Sequence, residues 1–174
     1  MRKAIFGTVL LATTTYSFAA PSDHFVGGIG FAQLNDDVLV NEVSLNAVFG
    51  SLGYEYKVTN TFTLIPELRV GLGVGDDTVT YNNVSVDVEL DEFIAFSVKG
   101  QLDLSEQFYL FANPSYGRVG LSASHSNGSA SDSSAEFGVG FGAGLQISNS
   151  TALELSYEDF NGTDAIGLSL KFDL

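Results

Sequence analysis

Apolar and polar residues alternate along most of this chain, and the alternation is most regular in residues 166–174. There the apolar side chains share one parity, while glycine, serine, lysine and aspartate occupy the other. Because alternate residues of an extended strand point to opposite faces, this segment presents one apolar and one polar face. Such a strand separates an apolar environment from a polar one. The apolar positions are Ile166, Leu168, Leu170, Phe172 and Leu174.

The same alternation predicts eight strands, most of them near the length of about 9 to 11 residues that a tilted strand needs to cross a membrane. Short turns at 58–61, 104–107 and 148–151 contrast with longer polar connections on the other side. An even strand number and this asymmetry are typical of outer-membrane barrels. We therefore predict an all-β fold, an eight-stranded antiparallel up-and-down transmembrane β-barrel. The predicted strands are 24–34, 44–57, 62–74, 93–102, 108–121, 137–147, 153–158 and 165–174.

The sixth predicted strand carries four glycines on one face, at Gly138, Gly140, Gly142 and Gly144. Glycine weakens a strand and often marks a close approach of other groups. Four on one face favour a narrow barrel, in which they leave room for longer side chains from neighbouring strands.

Four segments give weaker patterns. Pro66 cannot donate to a ladder, which predicts a bulge or locally open pairing. Residues 76–91 are acidic and alternate poorly, so strands are expected to extend beyond the membrane there, whereas the Ser-rich residues 122–134 predict a flexible exposed loop. In the fifth strand, a possible bulge at 113–115 makes the parity ambiguous. The preferred register places Tyr109, Phe111, Val119 and Leu121 outward and Tyr116 and Arg118 inward.

The first residues resemble a secretory signal, with Arg2 and Lys3 before an apolar run and the small residues Ser17 and Ala19 at the expected cleavage positions. The apolar run is shorter than the roughly 20 residues of a membrane-spanning helix. We predict cleavage after Ala19, so that residues 1–19 are a signal peptide and residues 20–174 form the barrel domain.

The composition is strongly acidic and lacks cysteine, so disulfides do not stabilise the fold. Removal of Arg2 and Lys3 would leave five basic against 21 acidic residues, a net charge of −16. Nucleic acid is therefore not expected as a partner. Apolar residues make up 45% of the chain without forming one long run, which suits a barrel.

All five basic residues of the predicted mature chain fall on the inward parity. An Arg or Lys facing lipid at mid-depth costs about 2–4 kcal/mol, which gives a physical reason for this placement. An eight-stranded barrel has room for side chains but little for a channel, and buried charges need partners. We predict an ion-pair network that plugs the lumen and needs no cofactor or metal. Its members are Glu55, Lys57, Glu67, Arg69, Lys99, Arg118, Glu136, Glu154, Glu158 and Lys171.

The closing pattern of residues 166–174, the glycine-rich sixth strand and the run Gly53-Tyr54-Glu55-Tyr56 resemble the OmpA/OmpX-like family of small outer-membrane barrels. The resemblance covers nearly all of the predicted mature chain. It implies insertion by the outer-membrane assembly machinery, which recognises the terminal strand, and contact with lipopolysaccharide. It also implies a monomeric, non-enzymatic protein of the bacterial outer membrane that supports envelope integrity or surface contact such as adhesion.

Three alternatives differ from this interpretation. A small-solute pore would need an open lumen, and a soluble lipocalin-like barrel would bury apolar side chains and expose charges. The third is an enzyme: the run beginning His125-Ser126 resembles the His-x-Ser-Asn motif of outer-membrane lipid A deacylases, with Glu136 as a possible third member. One residue is missing between His125 and Ser126, so on a strand they would point to opposite faces.

Acidic residues in the predicted loops could meet an extracellular ligand. Their oxygens are of the kind that Ca²⁺ or Mg²⁺ accepts, but the spacing is not that of an EF-hand, so a solvated acidic surface is favoured. Diffuse divalent cations could still bridge them to lipopolysaccharide phosphates. These residues are Asp36, Asp37, Asp76, Asp77, Asp87, Glu89, Asp91 and Glu92.

Overall fold

The computed structural model describes residues 23–36, 43–81, 84–125, 128–161 and 163–174. Within these ranges the chain forms nine β-segments, and no helix there is long and apolar enough to cross a membrane. The segments are β1 His24–Asp36, β2 Val43–Lys57, β3 Phe62–Gly73, β4 Asp76–Tyr81, β5 Val84–Asp103, β6 Phe108–His125, β7 Gly128–Ser148, β8 Thr151–Phe160 and β9 Thr163–Asp173.

The segments form one closed antiparallel sheet. Apart from β3 and β4, which do not pair with each other, each strand pairs with its sequence neighbours, and β1 also pairs with β9 from Val26–Asp173 to Asp36–Thr163. Both β3 and β4 pair with β5 and are separated only by Val74 and Gly75, so together they form the third barrel strand. Gly75 has φ 88°, a conformation that glycine adopts without steric cost. The predicted eight-stranded antiparallel barrel is confirmed.

Side-chain direction in the middle of the barrel follows the predicted alternation. On β3, Leu68 and Val70 are exposed to 47% and 50%, while Glu67 and Arg69, at the alternate positions, are buried. On β9, Leu168 and Leu170 face outward and Lys171 faces the lumen. The outer surface of this band is therefore apolar, as a lipid environment requires.

The arrangement inverts at the end of the barrel that carries the longer connections. Leu34, Leu45 and Leu90 belong to a buried apolar cluster inside the barrel. Polar side chains enter the outer face at this level, including exposed Gln33 and Asp91, beside the last exposed apolar positions such as Ile166. A strand surrounded by water needs a polar outer face and can bury apolar side chains inside. The inversion therefore marks the level at which the strands leave the hydrocarbon.

The predicted register of the fifth strand is wrong. In β6, Tyr109 and Phe111 point into the barrel and are each 6% exposed, Val119 is half-buried against the inner cluster, and Tyr116 and Arg118 are exposed. The β6–β7 ladder continues from Phe108 to His125 without a shift, so no bulge reverses the parity at residues 113–115. The side chain of Leu121 lies outside the described part of the structure.

The flexible loop predicted at residues 122–134 is also wrong. The strand β6 continues to His125, and β7 begins at Gly128, with these two residues paired. Beyond the membrane both faces of a hairpin meet water, so the apolar alternation disappears while the backbone ladder persists. The strands expected around residues 76–91 are present as β4 and the start of β5.

Pro66 produces open pairing, one of its two predicted consequences. The β2–β3 ladder stops at Gly53–Glu67 and resumes in the same register at Tyr56–Leu64, so no residue is inserted. Pro66 retains its place opposite Val98 on β5.

Candidate functional site

The middle of the lumen is crossed by an ion pair between Arg69 on β3 and Glu158 on β8. The guanidinium donates two hydrogen bonds to the carboxylate, and the Nη2–Oε2 distance is 2.8 Å. Ser115 Oγ donates to Glu158 at 3.3 Å, and the guanidinium carbon lies 5.8 Å from the centre of the Phe93 ring. A two-point Arg–carboxylate contact fixes both side chains in direction as well as in charge.

A second pair joins Lys99 on β5 to Glu154 on β8. The Nζ–Oε1 distance is 2.6 Å, and the Tyr109 hydroxyl donates to the same carboxylate oxygen at 2.9 Å. The Lys99 ammonium also lies 5.0 Å from the centre of the Phe111 ring. Glu154 is therefore held by a cation and by a neutral donor.

The third pair joins Lys171 on β9 to Glu67 on β3. The ammonium donates to Glu67 Oε2 and, at 2.8 Å, to Ser51 Oγ. Arg69 Nε lies 3.9 Å from Glu67 Oε1, so this pair is electrostatically linked to the first.

These three cations and three carboxylates form what we call the ion-pair belt: Glu67, Arg69, Lys99, Glu154, Glu158 and Lys171. All six residues are buried, with exposed fractions of 3–8%. Their formal charges cancel. Burying a charge is costly unless it is paired, and the belt supplies a partner for each member.

Glycines of β7 provide the space that the belt and its neighbours occupy. A Cβ on Gly140 would lie 2.4 Å from Glu158 Cγ, and one on Gly144 would lie 2.0 Å from Tyr109 Cζ. Gly142 has the same relation to Phe111, at 2.3 Å. The predicted role of the glycine face, making room for long side chains, is confirmed at these positions.

The belt lies between two larger cavities. The cavity on the loop side, of about 120 Å³, has Arg69 and Glu158 in its wall. The cavity on the short-turn side, of about 490 Å³, has Lys99, Glu154 and Lys171 in its wall. A space of about 20 Å³ lies within the belt itself, enough for about one water molecule.

A closed antiparallel barrel with an apolar outer band and a charged, filled interior is the architecture of small outer-membrane proteins. The family model of the outer membrane protein beta-barrel domain matches residues 6–173. The chain belongs to this outer-membrane β-barrel family. It is an OmpA/OmpX-like protein, integral to the bacterial outer membrane. A comparison with curated protein sequences gave no significant match.

Solved structures of outer-membrane barrels share the fold. The attachment invasion locus protein Ail of Yersinia pestis superposes with a TM-score of 0.58 at 16% identity, covering 87% of this chain and 95% of Ail. Neisserial surface protein A gives 0.61 at 10% identity, with 86% and 97% covered. The N-terminal barrel domain of Pseudomonas aeruginosa OprF gives 0.55 at 10% identity, with 84% and 97% covered. At these identities the similarity shows the fold alone.

Three other residues of the predicted network lie towards the ends of this outer-membrane barrel, outside the belt. Glu55 and the exposed Lys57 line the cavity on the short-turn side. Glu136 is half-buried and lines the cavity on the loop side.

The inward placement predicted for Arg118 is wrong. Its side chain is exposed on the outer face, and Nη2 donates to the exposed Ser133 at 2.9 Å. Without a bulge in β6, Arg118 shares the parity of the outward-facing Tyr116. On the outer face Arg118 lies opposite Ile94 on β5 and Ala135 on β7, at the edge of the apolar band, and its long side chain reaches the polar Ser133.

Sequence reasoning missed two inward-facing residues. His24 Nε2 lies 3.1 Å from Asp173 Oδ1 and 3.6 Å from Glu55 Oε2, which brings together β1, β2 and β9 at the seam of the barrel. The inward parity of His24 and its pairing opposite Glu55 were the available signals. Tyr109 was missed because the preferred register placed the odd positions of this strand outward, whereas they face the lumen.

Of the deacylase-like residues that the structure describes, His125 is paired with Gly128 near the tip of the β6–β7 hairpin, whereas Glu136 is paired with Gly117 much further along it. His125 ends β6, Ser126 lies outside the described residues, and Glu136 faces the lumen cavity. Among the acidic residues considered as cation ligands, Asp91 and Glu92 are exposed and Asp37 lies outside the described residues. In the described ranges, no group of three or more His, Cys, Asp or Glu residues could hold a metal ion.

Proposed function

We propose that this protein is a plugged, non-enzymatic outer-membrane barrel that supports the envelope and presents its loop end for surface contact. The observation that carries the proposal is the ion-pair belt, in which every buried cation bonds a carboxylate from another strand. The space within the belt is about 20 Å³, far smaller than the cavities on either side.

A conducting pore would have to open this belt. Separating the partners of a buried pair leaves an uncompensated charge, which costs about 3–5 kcal/mol. Because Glu158 and Glu154 are each held by a cation and a hydroxyl, opening also breaks neutral hydrogen bonds. A passage for small solutes is therefore the less favoured function.

Planar-bilayer conductance tests the plug. The full chain is expected to give no sustained single-channel currents at neutral pH, whereas Lys99→Met, which leaves Glu154 without its cation, is expected to give brief openings. Ala112→Leu on the exposed outer face of β6 is the matched control and should behave as wild type. Sustained, sizeable currents from the unmodified protein would overturn the plug.

Surface contact is the second part of the proposal, and the net charge of the chain indicates which kind of surface it would contact. Ail has been crystallised with the heparin analogue sucrose octasulfate, a polyanion. The present chain has a net charge of −14, and exposed Asp91, Glu92 and Asp159 lie at its loop end. Like charges repel a polyanion, so we expect this protein to contact basic surfaces instead.

The preference for basic surfaces over polyanions can be measured with the protein in lipid nanodiscs. It should bind polylysine-coated beads in a salt-sensitive manner, bind heparin-coated beads poorly, and lose polylysine binding in the triple variant Asp91→Asn, Glu92→Gln, Asp159→Asn. A deletion strain should become more sensitive to detergent and less adhesive, and the full gene product should restore both. Preferential binding to heparin would contradict the proposal.

The lack of enzymatic activity is proposed from the placement of the candidate residues. Glu136 faces the lumen while His125 ends β6 at the tip of its hairpin. Incubation with lipid A followed by mass spectrometry should show no released acyl chain. We further propose a monomer that the outer-membrane assembly machinery inserts through the terminal strand β9.

A further inference from the structure

The cavity on the loop side of the belt differs in chemistry from the rest of the lumen. Its volume is about 120 Å³, and its wall includes Leu34, Leu45, Phe49, Phe93, Val119 and Phe160. Barrel interiors in this class of protein are generally polar. An apolar cavity of about 150 Å³ is large enough to hold a benzene ring. This one is somewhat smaller but of the same order, and its mostly apolar surface suits a single small ring.

The space persists because two phenyl rings lie along the wall instead of crossing the lumen. A Cβ on Gly30 would lie 2.4 Å from Phe49 Cζ, and one on Gly138 would lie 2.5 Å from Phe160 Cδ1. Each ring is thus seated against a glycine of a neighbouring strand. The small side chain of Ala47, only 1% exposed, adds no bulk to the same wall.

The charged groups in the cavity wall give the cavity a net negative charge. Its floor is the Arg69–Glu158 pair, whose charges cancel. Glu136 is the other charged residue in the wall, and within the described residues it has neither an ion-pair nor a hydrogen-bond partner. The cavity therefore combines aromatic walls with one uncompensated, half-buried carboxylate. Aromatic faces and a carboxylate both attract a cation.

We propose that this chamber binds a small apolar molecule that carries one protonated amine, with its ring between Phe49, Phe93 and Phe160 and its ammonium at Glu136. A molecule of about eight heavy atoms, such as benzylamine, matches the volume. The ligand enters from the loop end, because the belt closes the other side. The negative charge of the whole chain raises the local concentration of cations at that entrance.

Methyl NMR of the full chain in lipid nanodiscs tests the site with three probes of similar size: benzylamine, benzyl alcohol and benzoate. Benzylamine should cause saturable shifts of the Leu34, Leu45 and Val119 methyl signals and not of the lipid-facing Leu68 and Val70 signals. Benzyl alcohol should bind about tenfold more weakly, as the loss of one charged hydrogen bond predicts. Benzoate should not bind.

Two kinds of variant separate the contribution of the Glu136 charge from that of the cavity volume. Glu136→Gln should bring the affinity for benzylamine down to that for benzyl alcohol. Ala47→Leu, or Gly117→Val if the first folds poorly, should abolish binding of both probes by filling the cavity; a Cβ at Gly117 makes only ordinary contacts, at 3.4 Å. Ala112→Leu on the outer face should bind as wild type.

Three outcomes would overturn the proposal: shifts confined to lipid-facing methyls, equal binding of benzoate and benzylamine, or an unchanged preference for the amine in Glu136→Gln. A gel mobility that changes on heating, as for the wild type, confirms that each variant is folded.

Discussion

Arg69 and Glu158 are 89 residues apart in the chain, yet their side chains meet across the lumen with an Nη2–Oε2 distance of 2.8 Å. Their strands, β3 and β8, are separated in the sheet by β2, β1 and β9. The pair therefore connects opposite walls of the barrel and resists a change in its cross-section.

This cross-lumen pair predicts a strong asymmetry between single and double substitutions. Arg69→Met or Glu158→Gln alone should lower the free energy of unfolding by about 3–5 kcal/mol, because one buried group loses its partner. The double variant Arg69→Met, Glu158→Met should recover much of that loss. Urea unfolding in lipid vesicles measures the wild type, the double variant and its two component single variants, Arg69→Met and Glu158→Met, so that the cycle is closed. Additive losses in the double variant would show that the two side chains do not depend on each other.

The glycine face of β7 predicts position-specific steric costs. Gly144→Ala would place Cβ within 2.0 Å of the Tyr109 ring, so the ring or the strand must move. We expect a loss of about 1–3 kcal/mol, typical of overpacking. Gly50→Ala is the matched control, since the nearest atom to its Cβ would be 3.9 Å away. Unfolding in vesicles should separate the two, and equal losses would contradict the packing argument.

The barrel and the direction of most of its side chains could be predicted from the sequence because lipid imposes one rule on every outward position. This rule places the charged side chains and the glycines of β7 on the lumen side of the barrel. The charged residues that follow it include Lys99, Glu154, Glu158 and Lys171. Which cation bonds which carboxylate could not be predicted, because that depends on the stagger between distant strands. Arg69 could have reached several carboxylates on the same parity.

The rule fails where the lipid ends. Beyond the membrane the outer face meets water, so polar and apolar positions exchange sides, as they do at Gln33 and Leu34. A prediction that assumed lipid along the whole strand consequently placed Arg118 inside. The hairpin of β6 and β7 was taken for a loop for the same reason, because its residues lack an apolar face.

The hairpin itself gives a prediction about backbone protection. The β6–β7 ladder continues through Ser122–Ser131 to His125–Gly128. Amides that donate within this ladder should exchange with solvent deuterium more slowly than those of a free Ser-rich segment. Hydrogen exchange followed by NMR in nanodiscs measures this, with Asn60 in the short turn after β2 as an exposed reference. Rates equal to those of Asn60 would mean that the hairpin is open in solution.

The N-terminal prediction concerns residues that the structure does not describe. Cleavage after Ala19 places Ala20 first in the mature chain, with the small residues Ser17 and Ala19 at the positions that the peptidase reads. N-terminal sequencing of protein from the outer-membrane fraction should therefore begin Ala-Pro-Ser. Ala19→Phe should block processing and leave the precursor, whereas Thr14→Ser should not. Recovery of a chain that begins at Met1 would contradict the prediction.

The position of Arg118 provides a direct measure of where the hydrocarbon ends. Because Arg118 lies at the edge of the apolar band and donates to the exposed Ser133, Arg118→Leu should change the free energy of unfolding by less than about 1 kcal/mol. Leu68→Arg introduces the same charge on the apolar outer band and should cost about 2–4 kcal/mol if Leu68 lies near the bilayer midplane.

Unfolding in vesicles of two lipid thicknesses sharpens the comparison between positions 68 and 118. A thicker bilayer should increase the penalty of Arg at position 68 only slightly, but it should make the native Arg118 destabilising as the hydrocarbon reaches it. If Arg118→Leu then stabilises the protein in the thick bilayer and not in the thin one, the polar outer rim begins just below Arg118. No dependence on thickness at position 118 would place the arginine well outside the membrane.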